Sequence, residues 1–347
     1  MAWNDILSQD LAKRMLQTHL ASGQVAGAYL LTGPDGVGKK RLAMEMAKAL
    51  ICESNGSRPC ETCTHCLQVS RSTHPDVHVI TGSGASALIK IEQIRHMLSR
   101  VALRPFRASC QVVVIDGVER LTEEAANSLL KTLEEPSKTT RFLLTTSRLA
   151  QCVSTIVSRC QLVRCHALSV TAVTKLLVDT QHIPAPMAEV AARVSGGSVS
   201  RAMQLAEQWA SYEQVIGRCT STRPMAWLEQ PLPETRQDVL QLLDGLLGWL
   251  RDLSMVAAGD AGSATHAEHI TILQQQAGAV DLDRCLETAF QLMELRESIE
   301  QFVNPRLVAT LARERWLNLY SSQSIVHSRW RSQHDLLGYG PQTMVYG

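Results

Sequence analysis

The sequence predicts an α/β domain with a parallel five-stranded sheet, followed by a small helical domain and an all-α C-terminal domain. Through the first 165 residues, short apolar runs alternate with longer helical patterns, which is typical of a parallel sheet flanked by helices on both faces. After about residue 166 the strand signal disappears and helical periodicity continues. We expect domains at 1–166, 167–208 and 209–335, with a tail at 336–347.

Five apolar runs in the first part are predicted to be buried strands, because each is short and bounded by Gly, Pro or polar residues. These runs lie at 28–32, 76–80, 111–116, 141–146 and 161–165. Helical patterns between the strands are found at 39–50, 91–101 and 122–133. Strands and helices therefore alternate along the whole first part of the chain.

The rest of the chain is predicted to be helical. Three short helices are expected at 169–180, 185–194 and 200–209. Gly196 and Gly197 would break the second of these from the third. Further on, Asn304 and Pro305 predict an N-cap and a first-turn proline, opening a helix that continues through Trp316. We interpret the apolar stripes of these helices as core packing.

Composition limits the class of protein. Of 347 residues, 45% are apolar and 19% charged, as in an ordinary globular protein. The 34 basic and 33 acidic residues give a net charge of +1, which argues against a wholly basic nucleic-acid binder but leaves a local basic patch open. We find neither a secretory signal pattern nor an apolar run of the roughly 20 residues that cross a bilayer. We expect a cytoplasmic protein without a membrane partner, whose ten cysteines do not form a disulfide framework.

A glycine-rich segment between the first predicted strand and the following helix matches a phosphate-binding loop. Gly33, Gly38 and Lys39 fit the pattern G-x-x-x-x-G-K-[ST] up to its last position, with Gly36 inside the loop. Glycines allow the backbone to curl so that its N–H groups face phosphate oxygens, and the helix N-terminus adds a favourable dipole. Lys39 would reach the outer phosphates. The alternative, a plain glycine-rich turn, is disfavoured by the flanking strand and helix.

Two positions depart from what ATP hydrolysis requires. Lys40 stands where a Ser or Thr hydroxyl normally ligates Mg²⁺, and lysine offers a positive charge and no acceptor. Asp116 ends the third predicted strand and could hold Mg²⁺, but Gly117 follows it without a side chain to activate water. Glu119 would sit roughly 6–7 Å further along if the strand continued. We expect phosphate binding to survive and hydrolysis to be lost, with rescue by Glu119 as the alternative.

Four cysteines lie within fifteen positions. Cys52, Cys60, Cys63 and Cys66 leave seven, two and two residues between them, a spacing that predicts a closed, structural, tetrahedral Zn²⁺ site. The alternative is four unrelated cysteines in a core, but this stretch lacks the apolar residues that a core needs. His65 could compete as a ligand.

Arg159 precedes the last predicted strand. Its guanidinium presents five N–H donors in a planar arrangement that fits phosphate. It could therefore stabilise charge on the γ-phosphate of a nucleotide bound to a neighbouring subunit. From this residue type alone, a solvated surface arginine is the simpler interpretation.

Taken together, several segments resemble the bacterial DNA polymerase III clamp-loader subunits of the AAA+ ATPase superfamily. These segments are 28–40, 52–66, 73–76, 114–116, 124–136, 144–146 and 158–160. The stretch that ends in Glu134, Glu135 and Pro136, combined with the triplet around Arg159, is the most specific part. The resemblance extends through about residue 205, and beyond it the helical part agrees mainly in character.

Within this family the chain resembles the delta-prime type more than the gamma/tau motors, which carry a hydroxyl and a glutamate at the positions of Lys40 and Gly117. The resemblance implies an AAA+ domain, a helical lid and a C-terminal collar that joins a hetero-oligomeric ring. It implies gamma/tau and delta subunits as partners, with the sliding clamp and primer–template DNA reached through the assembled complex. The resemblance also implies a non-catalytic subunit of a DNA-directed DNA polymerase holoenzyme.

The same resemblance assigns roles to single residues. Arg159 would be an arginine finger that acts in trans, and Thr145 or Thr146 matches the position that senses the γ-phosphate. Arg201 lies one residue later than expected for a second sensor arginine. The retained loop leaves binding of ATP or ADP open, whereas Lys40 and Gly117 argue against Mg²⁺. Two other functions stay open: an active gamma/tau-type ATPase, and a zinc-dependent nucleic-acid-binding module.

Overall fold

The computed structural model describes most of the chain, namely residues 3, 6–54, 56–83, 87–135, 137–221, 224–300 and 303–320. The expected tail at 336–347, and the end of the expected third domain beyond 320, lie outside these described residues. The chain folds into two compact units, Met1–Gln204 and a second that begins at Leu205.

The first unit is built on a five-stranded parallel sheet. Its strands are β1 (Ala28–Thr32), β2 (Val77–Thr81), β3 (Gln111–Asp116), β4 (Thr140–Thr146) and β5 (Gln161–Arg164). Their spatial order is β2-β3-β4-β1-β5, and every neighbouring pair is parallel. All five predicted strands are present, with ends that differ from the prediction by one residue at most. The predicted α/β class with a parallel sheet is confirmed.

Helices alternate with these strands and follow the last of them, and the final helix of this part runs from the first unit into the second. These helices are α1 (Asp10–Ser22), α2 (Lys39–Ile51), α3 (Thr64–Ser70), α4 (Ile91–Val101), α5 (Glu123–Glu134), α6 (Ser154–Val157), α7 (Val170–Gln181), α8 (Ala185–Val194) and α9 (Val199–Glu207). Helix starts follow local chemistry. The Thr122 side chain accepts the N–H of Ala125 and so caps α5, and Ser169 caps α7 in the same way.

The core and the register of the sheet position the site. Leu30, Val113 and Leu144 are fully buried on the central strands and belong to one apolar cluster with residues of α4 and α5. Asp116 pairs in register with Thr145 on β4. Because the carboxyl ends of parallel strands meet at one edge, the loop after β1 and the end of β3 lie together there.

The second unit is helical. It contains α10 (Trp209–Cys219), α11 (Arg236–Ala257), α12 (Ile270–Ala277), α13 (Leu282–Glu300) and α14 (Pro305–Leu319). Helix α11 packs against the other four, and Trp249 and Trp316 are buried in this unit. The Asn304 side chain accepts the N–H of Arg306, as an N-cap does. None of the helices described here has the length and hydropathy needed to span a bilayer.

One predicted helix was wrong at its end. The helix expected at 200–209 ends at Glu207, and α10 begins at Trp209 after a one-residue interruption at Gln208. Gln208 has φ −112° and ψ 29°, outside helical geometry. Apolar spacing continues through this short break, and the sequence pattern therefore hides it.

Candidate functional site

The loop predicted to bind phosphate connects β1 to α2 at the carboxyl edge of the sheet. Gly38 is the N-cap of α2, with φ +95°, a conformation that glycine adopts without strain. The first N–H groups of α2 therefore lie beside the loop without intrahelical partners. Gly33 begins the loop so close to the end of β5 that a Cβ atom there would lie 2.1 Å from the carbonyl oxygen of Cys165. The sequence thus builds a curled loop before a helix N-terminus, which is a suitable arrangement for an anion.

Lys39 folds back over this loop. Its Nζ atom donates to the carbonyl oxygens of Gly33 and Pro34 at 2.8 and 2.6 Å, and to Ser147 Oγ at 3.0 Å. The side chain is only 7% exposed, and burial lowers its pKa from the ordinary value. All three bonded acceptors are neutral. A buried ammonium with neutral partners favours an incoming anion.

Lys40 forms an ion pair with Asp116. Its Nζ atom lies 3.2 Å from Oδ2 of Asp116, whose Oδ1 accepts a hydrogen bond of 2.7 Å from Thr145 Oγ1. Thr145 Oγ1 also accepts the backbone N–H of Gly117 at 3.1 Å. Both carboxylate oxygens are therefore engaged, and an ammonium stands next to the group that would otherwise bind a divalent cation.

Glu119 lies in the same cleft as these residues, but it is carried there by a turn and not by an extension of the strand. Strand β3 ends at Asp116, and Gly117, with φ +86°, turns the chain into a short 3₁₀ turn, Val118–Arg120. Strand β3 thus ends at the predicted residue, and the spacing of Glu119 along a continued strand does not apply. Glu119 Oε1 instead accepts the backbone N–H of Ser147 at 3.2 Å.

The loop and the end of β3 line a cleft of about 680 Å³, within the range of small-ligand sites. Helix α9 supplies part of its wall through Val199, Ser200 and Met203. The N–H of Val199 donates to the carbonyl oxygen of Gly36 at 2.9 Å. Arg201, considered as a second sensor, is exposed on the same helix.

The four predicted cysteines come together between α2 and α3. The sulfur atoms of Cys52, Cys60, Cys63 and Cys66 all lie within 4.8 Å of one another. Tetrahedral Zn–S bonds of about 2.3 Å would place the sulfurs about 3.8 Å apart, so this set fits one metal ion. A hydrogen bond from the Thr62 hydroxyl, followed by backbone N–H groups, lowers the pKa of the Cys60 thiol to about 6. The cluster can bind a metal ion.

His65 is held away from this cluster by other partners. Its Nε2 lies 2.7 Å from Glu53 Oε1, and its Nδ1 lies 2.7 Å from His74 Nε2. His74 Nδ1 accepts the backbone N–H of Asp76 at 3.0 Å, which fixes the tautomers: His74 donates to His65, and His65 donates to Glu53. This histidine relay, Glu53–His65–His74–Asp76, ties the cysteine module to the start of β2. Spacing in the sequence gives no signal for it.

Arg159 follows α6 and lies on the surface of the first unit, apart from the residues that line the cleft. Its Nε and Nη2 atoms donate to Glu134 Oε1, and its Nη1 atom donates to the carbonyl oxygen of Thr155 at 3.0 Å and to Ser158 Oγ at 3.4 Å. The sequence singled out Arg159 but not its pairing with Glu134.

Comparison with known proteins places these features in a family. A model described as "DNA polymerase III, delta subunit" matches residues 8–169. The chain is 30% identical over 247 residues to DNA polymerase III subunit delta′ (delta-prime) of Pseudomonas aeruginosa, covering 67% of this chain and 72% of that relative. It is 31% identical over 206 residues to subunit delta′ of Bacillus subtilis, covering 59% and 61% of the two chains.

A gamma/tau-type relative also matches. The chain is 34% identical over 210 residues to subunit tau of Escherichia coli, covering 59% of this chain and 32% of tau. The matches thus span less than two thirds of the B. subtilis protein and about a third of the E. coli protein. From the P. aeruginosa match above all, this chain belongs to the DNA polymerase III clamp-loader family of delta-prime and gamma/tau subunits.

Proposed function

We propose that this chain is a delta-prime-type stator subunit of a clamp loader, which helps load the sliding clamp onto primed DNA during replication. In this role it supplies Arg159 in trans to the nucleotide site of a gamma/tau neighbour and does not hydrolyse ATP itself. The observation that carries the proposal is the ion pair between Lys40 and Asp116.

The ion pair bears directly on metal binding. Mg²⁺ demands oxygen ligands at about 2.0–2.1 Å in octahedral geometry, and Lys40 provides a positive charge where a hydroxyl is needed. To bind Asp116, Mg²⁺ would have to displace an ammonium that already neutralises the carboxylate. Gly117 adds a second deficit because it has no side chain to orient water. ATP or ADP could still contact the loop and Lys39 without a metal ion.

The position of Arg159 supports action on another subunit. The residue lies on the protein surface, where its side chain is 30% exposed, and it does not line the cleft of its own chain. A guanidinium in this position can contact a phosphate only if another molecule brings it there. Similarity to subunits delta′ of P. aeruginosa and B. subtilis supports the delta-prime assignment on which this role depends.

A second candidate is an active gamma/tau-type motor. Glu119 favours it, because this carboxylate lines the same cleft as Lys39 and Asp116. The match to E. coli tau agrees with it as well. We rank it second because Glu119 could replace the carboxylate that activates water, but it does not replace the hydroxyl that would bind Mg²⁺ at position 40.

The remaining parts fit a ring subunit. We propose that the four cysteines hold structural Zn²⁺, since four thiolates leave no open position for catalysis. Residues 167–208 would serve as a lid and 209–335 as a collar that binds gamma/tau and delta subunits in the cytoplasm. The clamp and primer–template DNA would be reached through the assembled complex.

Two measurements test the proposal. The purified chain should release no phosphate from ATP above background with Mg²⁺ present. In a loader reconstituted with partner subunits, Arg159→Ala should leave assembly intact and depress the ATPase that clamp and primed DNA stimulate, because one source of transition-state charge stabilisation is lost. Steady turnover by the chain alone, abolished by Glu119→Gln, would instead establish the motor function.

A further inference from the structure

We infer that Glu134 is a latch for Arg159. Its carboxylate holds the guanidinium on the surface of its own chain and competes for it with the phosphates of a nucleotide bound to a neighbouring subunit. This inference rests on the proposed function, in which Arg159 acts in trans. It adds a residue that controls when the arginine is available.

The hydrogen bonds of Arg159 show how fully its donors are occupied. Glu134 Oε1 takes the Nε–H and one Nη2–H. The carbonyl oxygen of Thr155 and the hydroxyl of Ser158 take both Nη1–H groups. Among the residues that the structure describes, four of the five N–H donors of this guanidinium therefore have a partner, and one on Nη2 does not.

One remaining donor is too few for the usual contact with phosphate. Arginine binds phosphate most strongly through two parallel N–H···O bonds. To present such a pair, Arg159 must release at least one bond to its own chain. Glu134 accepts two N–H donors through a single charged oxygen. When Arg159 separates from Glu134, the adjacent Nε–H and Nη2–H groups become available together.

The latch is anchored at the ends of two packed helices. Glu134 is the last residue of α5, and Arg159 lies two positions after the end of α6, which packs against α5. These ends fix the two side chains near each other, although the two residues lie 25 positions apart in the sequence.

The pair is exposed enough to exchange. Glu134 is 48% and Arg159 is 30% exposed, so water can replace each partner. Exposed ion pairs of this kind shift an equilibrium by about twofold to fivefold. The phosphates of a nucleotide carry more negative charge than one carboxylate, and can therefore displace Glu134 once a neighbouring subunit presents them.

The test is Glu134→Gln in the complete reconstituted loader, with ATPase measured against ATP concentration in the presence of clamp and primed DNA. Removing the charge weakens the latch and leaves Arg159 in place. The ATP concentration for half-maximal turnover should fall by about twofold to fivefold, while maximal turnover stays unchanged. Glu135→Gln is the matched control, because it removes the same charge from an exposed position one residue away and should change neither quantity.

Two further results decide between outcomes. The double variant Glu134→Gln/Arg159→Ala should behave as Arg159→Ala alone, since a latch acts only through the residue that it holds. A fall in maximal turnover with Glu134→Gln would show that Glu134 orients the arginine for the reaction and does not restrain it. If maximal turnover and the half-maximal ATP concentration are both unchanged, Glu134 neither orients nor restrains the arginine. Either result overturns the latch. If Arg159→Ala leaves the loader fully active, the proposed function itself fails, and the latch with it.

Discussion

The ammonium of Lys40 lies 3.2 Å from Oδ2 of Asp116, so one chain carries both the carboxylate that could hold a cation and the cation that neutralises it. Lys40 follows the phosphate loop, and Asp116 ends β3. Thr145 completes the arrangement by donating to the other carboxylate oxygen at 2.7 Å. Both carboxylate oxygens of Asp116 therefore have partners within the protein. Lys39 and the glycine-rich loop are not part of this network and can bind an anion.

Replacing Lys40 should restore a response to Mg²⁺. In the wild-type chain, adding Mg²⁺ should not strengthen binding of a fluorescent ADP analogue relative to EDTA. Lys40→Thr removes the competing charge and supplies a hydroxyl, so Mg²⁺ should strengthen binding by about tenfold, equivalent to ~1.4 kcal/mol. Lys40→Met is the control, because it removes the charge without supplying the ligand and should give a smaller response. Equal responses to Mg²⁺ in wild type and Lys40→Thr would refute the metal-blocking role.

The cysteine cluster should bind about one Zn²⁺ per chain. Cys63→Ser removes one of four ligands, so metal analysis of the purified variant should show loss of most of the zinc. Its thermal midpoint should fall as well, because metal binding contributes to folding. Cys110→Ser is a suitable control, since Cys110 lies outside the cluster. Full zinc content in the Cys63→Ser protein would exclude a four-cysteine site.

Asp76 should make stability depend on pH. Burial opposes its ionisation, but backbone N–H groups of Phe106, Ala108 and Arg107 donate to the carboxylate at 2.6–2.9 Å and lower its pKa below the ordinary value. A lowered folded-state pKa stabilises the fold above the unfolded-state pKa of about 4, and this contribution is lost as the pH falls through the folded-state value.

The substitution Asp76→Asn isolates this contribution. It should lower the free energy of unfolding at pH 7 by about 3 kcal/mol, because an amide has one acceptor oxygen in place of the two carboxylate oxygens that accept these three N–H groups. Urea unfolding at pH 7 and pH 3.5 should show a smaller loss of stability on acidification in the variant than in the wild type. The same loss in both proteins would mean that other carboxylates account for it.

Gly33 and Gly38 allow the cost of a steric clash to be measured apart from the cost of a positive φ. Both have positive φ, but a Cβ atom at Gly33 would meet the backbone of Cys165 at 2.1 Å, whereas one at Gly38 would meet nothing within 4 Å. Gly38→Ala should cost about 1–2 kcal/mol of stability from conformational strain alone. Gly33→Ala should cost about 2 kcal/mol more, because β5 or the loop must shift. Chemical denaturation measures both, and equal losses would contradict the close approach.

Local patterns in the sequence predicted most of the fold. The strands were found because buried parallel strands are short apolar runs, and Asn304 marked a helix start because its side chain accepts a backbone N–H group. The glycine-rich loop and the four cysteines were also identified from local patterns, since each depends on spacing over a few residues.

Contacts between distant segments could not be predicted in the same way. The ion pair of Lys40 with Asp116 and that of Arg159 with Glu134 depend on how whole elements pack. The position of Glu119 could not be predicted, because Gly117 turns the chain after the strand and glycine permits that turn without requiring it. Sequence spacing identifies which residues carry chemistry, and packing decides which of them meet.

The histidine relay has a consequence for sequence variation among relatives. Each imidazole in it accepts on one nitrogen and donates on the other, so positions 65 and 74 both require a side chain with this dual capacity. A lysine, which only donates, or an ionised glutamate, which only accepts, would leave two like groups facing each other in a buried place. Substitutions at the two positions should therefore occur together across evolution, or be confined to amide side chains such as glutamine.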